Sequence, residues 1–258
     1  MAMKALCIGT ALALLVSSAQ AATEDDATPP GLSVPATAPQ SAPSAPAVEA
    51  EAKAETNPKR ADFAKEQASR DARQLADWIV HSGDNKNTHF AIIDKKSARL
   101  FVFEASGSLQ GASNVLLGAA RGDHTVAGIG DKKLSAVRPQ ERTTPAGRFV
   151  AAVGKNGRGE DVVWVDYDAA VSMHRVIRTQ DRLKRIATAT AKDKRVSYGC
   201  INVPAAFYDS VLSPAFTSAE GIVYVLPEIR PVREVFVGSY DVDERFARGS
   251  ASQSAPAR

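Results

Sequence analysis

Cys200 lies in the run Arg195-Val196-Ser197-Tyr198-Gly199-Cys200-Ile201-Asn202-Val203-Pro204 and is one of two cysteines in the chain. The other, Cys7, falls in a stretch with the layout of a signal peptide: Lys4, an apolar run from Ala5 to Val16, and Ala19-Gln20-Ala21 as a small-residue cleavage site. That run is too short to span a bilayer as a mature helix, and Cys7 sits too early in it for lipid attachment, so the expected product is exported and soluble. Cleavage after residue 21 leaves Cys200 without an intramolecular partner in an oxidising compartment. A lone exported cysteine is a buried core side chain, an intermolecular bridge or a reactive thiol.

A reactive thiol needs its anion stabilised, donors for an oxyanion and a base in reach. Asn202 is expected to cap a helix starting directly after Cys200, whose positive end would favour the thiolate. Gly199 allows close backbone approach, and the N–H groups of Tyr198, Gly199 and Cys200 are candidate oxyanion donors. For the base, His174 at the end of a short strand is one candidate, set against an ordinary core or surface histidine. His124 lies in the polar loop Arg121-Gly122-Asp123-His124, and His81 and His89 flank a helix-to-strand junction. None of the four has a Cys or acidic partner at ligand spacing, and no glycine-rich phosphate loop follows a strand, so no metal and no cofactor are expected.

The elements that must hold these groups follow from periodicity. Residues 1–21 are the signal. Residues 22–58, rich in Ala, Pro, Ser, Thr and Glu, are expected to be a disordered tether. Residues 59–83 carry a helical stripe of Ala64, Ala68, Ala72, Leu75 and Ile79 with Gly83 as its stop. From His89 the period becomes that of strands: 90–93, 99–103 and 115–118 as an antiparallel meander, 149–153 and 162–167 joined by a Gly-rich hairpin, 171–176, and 221–226 as a buried return. A helix with Phe207, Val211 and Leu212 facing inward follows the cysteine. The fold class is therefore mainly β, with residues 87–230 as the domain and 231–258 as an extension whose end is disordered.

The chain of 258 residues carries a net charge of +3 at pH 7. Lys4 gives +1 and residues 22–57, six acids against Lys53, give −5, so residues 58–258 carry +7. A basic body behind an acidic leash suits work beside an anionic polymer such as a cell wall, or is simply a solvated surface. No aromatic-interleaved basic stripe is present, so no nucleic-acid partner is expected. The segment 177–194, with Arg178, Arg182, Lys184, Arg185, Lys192 and Lys194, is either a basic lid or solvated surface.

Three motifs in order, Thr143-Thr144-Pro145-Ala146-Gly147-Arg148-Phe149, Met173-His174 and Ser197-Tyr198-Gly199-Cys200-Ile201-Asn202, resemble those of the L,D-transpeptidase catalytic domain of YkuD type, over roughly residues 87–228. The resemblance implies an antiparallel, sandwich-like β-fold with the cysteine at a strand-to-helix junction. It also implies action on peptidoglycan stem peptides in the periplasm or cell wall. Cys200 would be the nucleophile and His174 the base, oriented by the backbone carbonyl of Arg175, with Ser197 and Asn202 at the substrate. The acyl acceptor would be an amine, or water in a carboxypeptidase or amidase; a non-catalytic wall-binding protein is the third reading. Tyr198 stands where this family usually has histidine. Oligomeric state is open.

Overall fold

The computed structural model describes residues 57–217 and 219–253; the signal and almost all of the tether lie outside the described residues. Helix α1 spans Arg70–Ser82, shorter than the expected 59–83. Its start is set by Ser69, whose Oγ accepts from Ala72 N at 3.1 Å, and its end by Gly83 at φ +71°. Residues 59–69 cannot join it because their backbone is committed elsewhere. Asp62 bridges to Ser108, and Phe63 is buried edge-on to Phe101 and Phe103 at 5.4 and 5.0 Å.

The strands are β1 Phe90–Asp94, β2 Arg99–Phe103, β3 Leu109–Asn114, β4 Leu117–Gly118, β5 Gly147–Lys155, β6 Asp161–Asp166 and β7 Val171–Arg175. Helix α2, Gln180–Ala187, precedes β8 Arg195–Ser197 and β9 Ile201–Val203. Then come α3 Ala205–Phe207, a π-turn, α4 Ser213–Thr217, β10 Gly221–Val225, α5 Val232–Val235 and α6 Val242–Gln253. Helix α6 runs into the tail expected to be disordered, the last residues of which lie outside the described set.

One eight-stranded sheet has the order β3-β2-β1-β10-β5-β6-β7-β9, and β4 pairs with β8. The fold is mainly β, with β1–β2–β3 and β5–β6–β7 as the expected antiparallel runs, but the sheet as a whole is mixed: β1 runs parallel to β10, and β7 to β9. Strand β10, all apolar after Gly221 and buried throughout, is of the kind that goes to the middle of a sheet covered on both faces. Residues 115–118 do not form one strand; the β3 ribbon ends at Asn114, and β4 leaves to pair with β8. Leu116 exchanges both backbone hydrogen bonds with Asn202, at 2.9 and 2.8 Å. That bridge ties the far edge of the sheet back toward β3, so the sheet curls almost into a barrel.

Its two faces bury separate cores. One holds Leu100, Val163, Met173, Ile201, Tyr208 and Phe216 under α3 and α4. The other holds Leu75, Ile79, Phe90, Phe103, Tyr224 and Phe236 under α1 and the C-terminal segment. Truncating one of these to Ala, Leu75 for example, costs about 2–5 kcal/mol, because the cavity cannot close around rigid strands. Among the described residues no helix is long and apolar enough to cross a membrane.

Candidate active site

Strand alternation sorts β7 into two faces: Val171 and Met173 enter the core, while Ser172 and His174 point the other way, toward Cys200. Parallel pairing with β9 sets His174 opposite Asn202 and Met173 opposite Ile201. Cys200 therefore lies in the short connection between β8 and β9, beside the histidine. The expected helix does not begin there. β9 intervenes, α3 starts only at Ala205, and Asn202 is a buried strand residue rather than a cap. A helix dipole consequently plays no part in charging this thiol.

Other groups do. Burial pushes the Cys200 thiol up, but the His174 imidazole and the N–H and hydroxyl of Ser172 outweigh it, so the thiol sits below its ordinary value. Ser172 Oγ is 3.9 Å from Sγ, and Sγ is 3.5 Å from the carbonyl oxygen of Ala170, a non-glycine residue at φ +54°. For His174, burial pushes the imidazole down, while the sulfur and the Arg175 carbonyl push it up and prevail. Its Nδ1 is 2.8 Å from Arg175 O; a carbonyl only accepts, so Nδ1 carries the proton and Nε2 is left as the acceptor. The Arg175 guanidinium is clasped by Asp161 and Asp209 over the Tyr208 ring.

The cysteine loop is braced from beneath. Gly199 has φ +136°, and a Cβ there would come within 2.9 Å of the Thr143 carbonyl oxygen, so only glycine fits. Thr144, fully buried, donates its hydroxyl to Gly199 O at 2.8 Å and accepts from Gly118 N at 2.9 Å. Its own carbonyl receives the ammonium of Lys95, at 2.9 Å, which also meets Asp123 at 2.8 Å and Gly122 O at 2.6 Å. Asp123 accepts in turn from the N–H groups of Glu228, Ile229 and Arg230.

Three expected assignments change on this geometry. The N–H of Gly199 is taken by Ser197 Oγ at 3.1 Å and is not free for an oxyanion, whereas those of Tyr198 and Cys200 meet no acceptor among the described residues. Ser197, expected at the substrate, is 4% exposed and donates its hydroxyl to Cys200 O at 2.6 Å, so it braces the loop. Asn202, 1% exposed, faces His174 and Arg182 rather than the cleft. Tyr198 is exposed, with the Arg142 guanidinium 4.2 Å from its ring centre. The other histidines are remote in partnership: His81 meets Tyr240, His89 meets Gln110 and His124 meets Arg230.

Ser172 was not singled out by the sequence, and Thr144 and Arg182 entered only as members of a motif and of the basic 177–194 segment. For Ser172 the signal was present, since it lies two residues before His174 on the same strand face. Arg182 comes from α2, which places part of the basic 177–194 segment at the site. Among the described residues no cluster of His, Cys, Asp and Glu could hold a metal ion. The sulfur and imidazole open on a cleft of about 830 Å3 that Arg158 and Arg178 also line. A depressed thiol, an imidazole in a fixed tautomer and two free N–H groups make an arrangement suited to acyl transfer.

No protein-family model matches the chain, and no curated protein matches it. Among solved structures it is similar to the helical cell shape determining protein Pgp2 from Campylobacter jejuni, at 14% identity and a TM-score of 0.38, covering 55% of this chain and 49% of that one. It is also similar to the catalytic domain of an E. faecium L,D-transpeptidase, at 15% identity and a TM-score of 0.32, covering 54% and 98%. A third is L,D-transpeptidase 1 of Mycobacterium tuberculosis, at 16% identity and a TM-score of 0.30, covering 54% and 61%. The chain spans about half the length of the first of these.

Proposed function

We propose that this chain is a cysteine-dependent L,D-transpeptidase acting on peptidoglycan stem peptides in the periplasm or cell wall. The observation that carries the reading is Cys200 with its thiol held low beside His174, whose Nδ1 is fixed on the Arg175 carbonyl so that Nε2 faces the site. Sγ attacks the carbonyl carbon preceding the terminal D-residue while its proton passes to Nε2. The N–H groups of Tyr198 and Cys200 stabilise the oxyanion. Collapse breaks the C–N bond, the imidazolium protonates the departing amine, and a thioester remains on Cys200. An acceptor amine then attacks that thioester, gives its proton to His174 and releases the thiol as the new amide forms.

The test is incubation with tetrapeptide-bearing muropeptides, read by mass. The expected result is loss of the terminal residue with formation of a cross-linked product, both absent in Cys200→Ala. Tripeptide without cross-link would replace the amine by water as acceptor. Unchanged turnover in Cys200→Ala would overturn the reading.

A further inference from the structure

Asn202 sits between the candidate base and α2. Its Oδ1 accepts from the Arg182 guanidinium, and its Nδ2 is 3.3 Å from His174 Nε2. The two ends of a carboxamide have nearly the same shape, so partners decide which way it faces. Arginine can only donate, hence the atom toward Arg182 is the oxygen and the NH2 group is turned toward the imidazole. An NH2 in turn can only donate, so it calls for a bare Nε2. The other contact of Nδ2, 3.4 Å from Cys200 O, is at the limit of a hydrogen bond and is a weak anchor.

Both ends of this relay are fastened. Leu116 exchanges backbone hydrogen bonds with Asn202 and packs with Val176 against Ile186 of α2. Thr179 Oγ1 caps α2 by accepting from Arg182 N at 3.3 Å. The same bridge residue thus registers strand and helix.

We propose that Arg182 is a positioning residue for the candidate base: by holding Oδ1 of Asn202 it turns the amide NH2 toward Nε2 and opposes protonation of His174, limiting the thiolate–imidazolium pair at rest. The inference rests on the acyl-transfer reading above for its purpose, though not for its test. Without Arg182 the amide is free to rotate, and Oδ1 would then accept from a protonated Nε2, favouring the thiolate–imidazolium pair at rest.

The charges about His174 come from several elements. Arg182 on α2 opposes protonation, and the Cys200 sulfur after β8 favours it. Arg175 on β7 is matched by Asp161 of β6 and Asp209 of the π-turn. Arg158, Glu160 and Arg178 line the same cleft.

Alkylation of the full chain by iodoacetamide across pH, with the adduct mapped to Cys200, tests the proposal without any substrate. Failure of the transpeptidase reading would therefore leave the result unaffected. Arg182→Met is expected to move the midpoint to lower pH by about half to one unit, the size of one net hydrogen bond. Arg182→Lys, which keeps a donor and a charge, should restore the parent profile. Added to Asn202→Leu, Arg182→Met should produce a clearly smaller shift, only the part that its charge exerts on the imidazole directly. An unmoved midpoint in Arg182→Met, or a full shift persisting in the Asn202→Leu background, would overturn the proposal. Should Asn202→Leu not fold, 15N spectra of His174 decide it: Nε2 must gain its proton at higher pH in Arg182→Met than in the parent, and an identical titration refutes the relay.

Discussion

His174 Nδ1 lies 2.8 Å from the carbonyl oxygen of Arg175, the next residue in the chain, and this contact decides which ring nitrogen is presented to Cys200. The His174 ring is thus oriented by its own strand, with no separate carboxylate required.

His174→Ala is expected to lower turnover of an acyl donor by ~10²–10⁴, the usual worth of a positioned base. His81→Ala, His89→Ala and His124→Ala, whose rings are bonded elsewhere, should stay within about tenfold. Steady-state kinetics of the four variants make the comparison; a folded, active His174→Ala beside a crippled one of the others would move the base.

Ser172→Ala removes a donor to the charged sulfur, and loss of such a donor raises the thiol pKa. The alkylation midpoint of Cys200 should move to higher pH by less than about one unit, because the Ser172 N–H remains. A midpoint that stays put would show that the hydroxyl at 3.9 Å does not support the thiolate.

Gly199→Ala forces a Cβ against the Thr143 carbonyl oxygen and a left-handed φ on a residue that disfavours it. We expect a folded protein, destabilised by about 1–3 kcal/mol in thermal or denaturant unfolding, with most turnover lost as the cysteine loop shifts. Parent-level kcat would show that the loop need not keep this shape.

Tyr198→Phe keeps the ring beneath Arg142 and removes a hydroxyl that meets nothing among the described residues. Turnover should remain within about tenfold, some 1.4 kcal/mol of barrier. A loss beyond a hundredfold with folding intact would give that hydroxyl a substrate or an imidazole to hold.

Lys95→Met leaves the buried Asp123 carboxylate with its backbone N–H donors but without its cation, at a cost of about 3–5 kcal/mol at neutral pH, while Glu228 keeps Arg195 and Arg121. Burial raises the Asp123 carboxyl, but the Lys95 ammonium and the N–H groups of Arg230 and Glu228 hold it well below the usual carboxylate range. A depressed carboxylate contributes its stability above its unfolded value, about pH 4, and loses it as pH falls further. The gap between parent and variant should accordingly narrow on acidification, measured by urea unfolding at pH 7 and pH 3. A gap constant with pH would contradict the buried pair.

Alternation and turn residues were enough to place the strands around Phe90, Leu100, Val150, Val163 and Val223, because each is a local pattern. Their order in the sheet was not legible: that β10 enters between β1 and β5 depends on long-range pairing, which no window of sequence contains. The placing of His174 beside Cys200 was available only as a candidacy, since the contacts that bring them together, the pairing of His174 with Asn202 and the Arg175 carbonyl, act through register. Asn202 itself misled. Its preference for caps was overridden by a bridge to Leu116, and the sequence offers no sign of that contact.

The chain Gly199–Thr144–Lys95–Asp123 ends on the backbone of residues 228–230, beyond the last strand. A polypeptide emerging from its N-terminus therefore has all eight sheet strands available before the floor under the cysteine can lock. Until Glu228, Ile229 and Arg230 reach Asp123, the nascent thiol has its histidine within the growing sheet but no fixed loop, and is chemically immature. The same dependence means that a cut between Leu226 and Glu228 would leave a protein with its strands in place and its Cys200 loop unset.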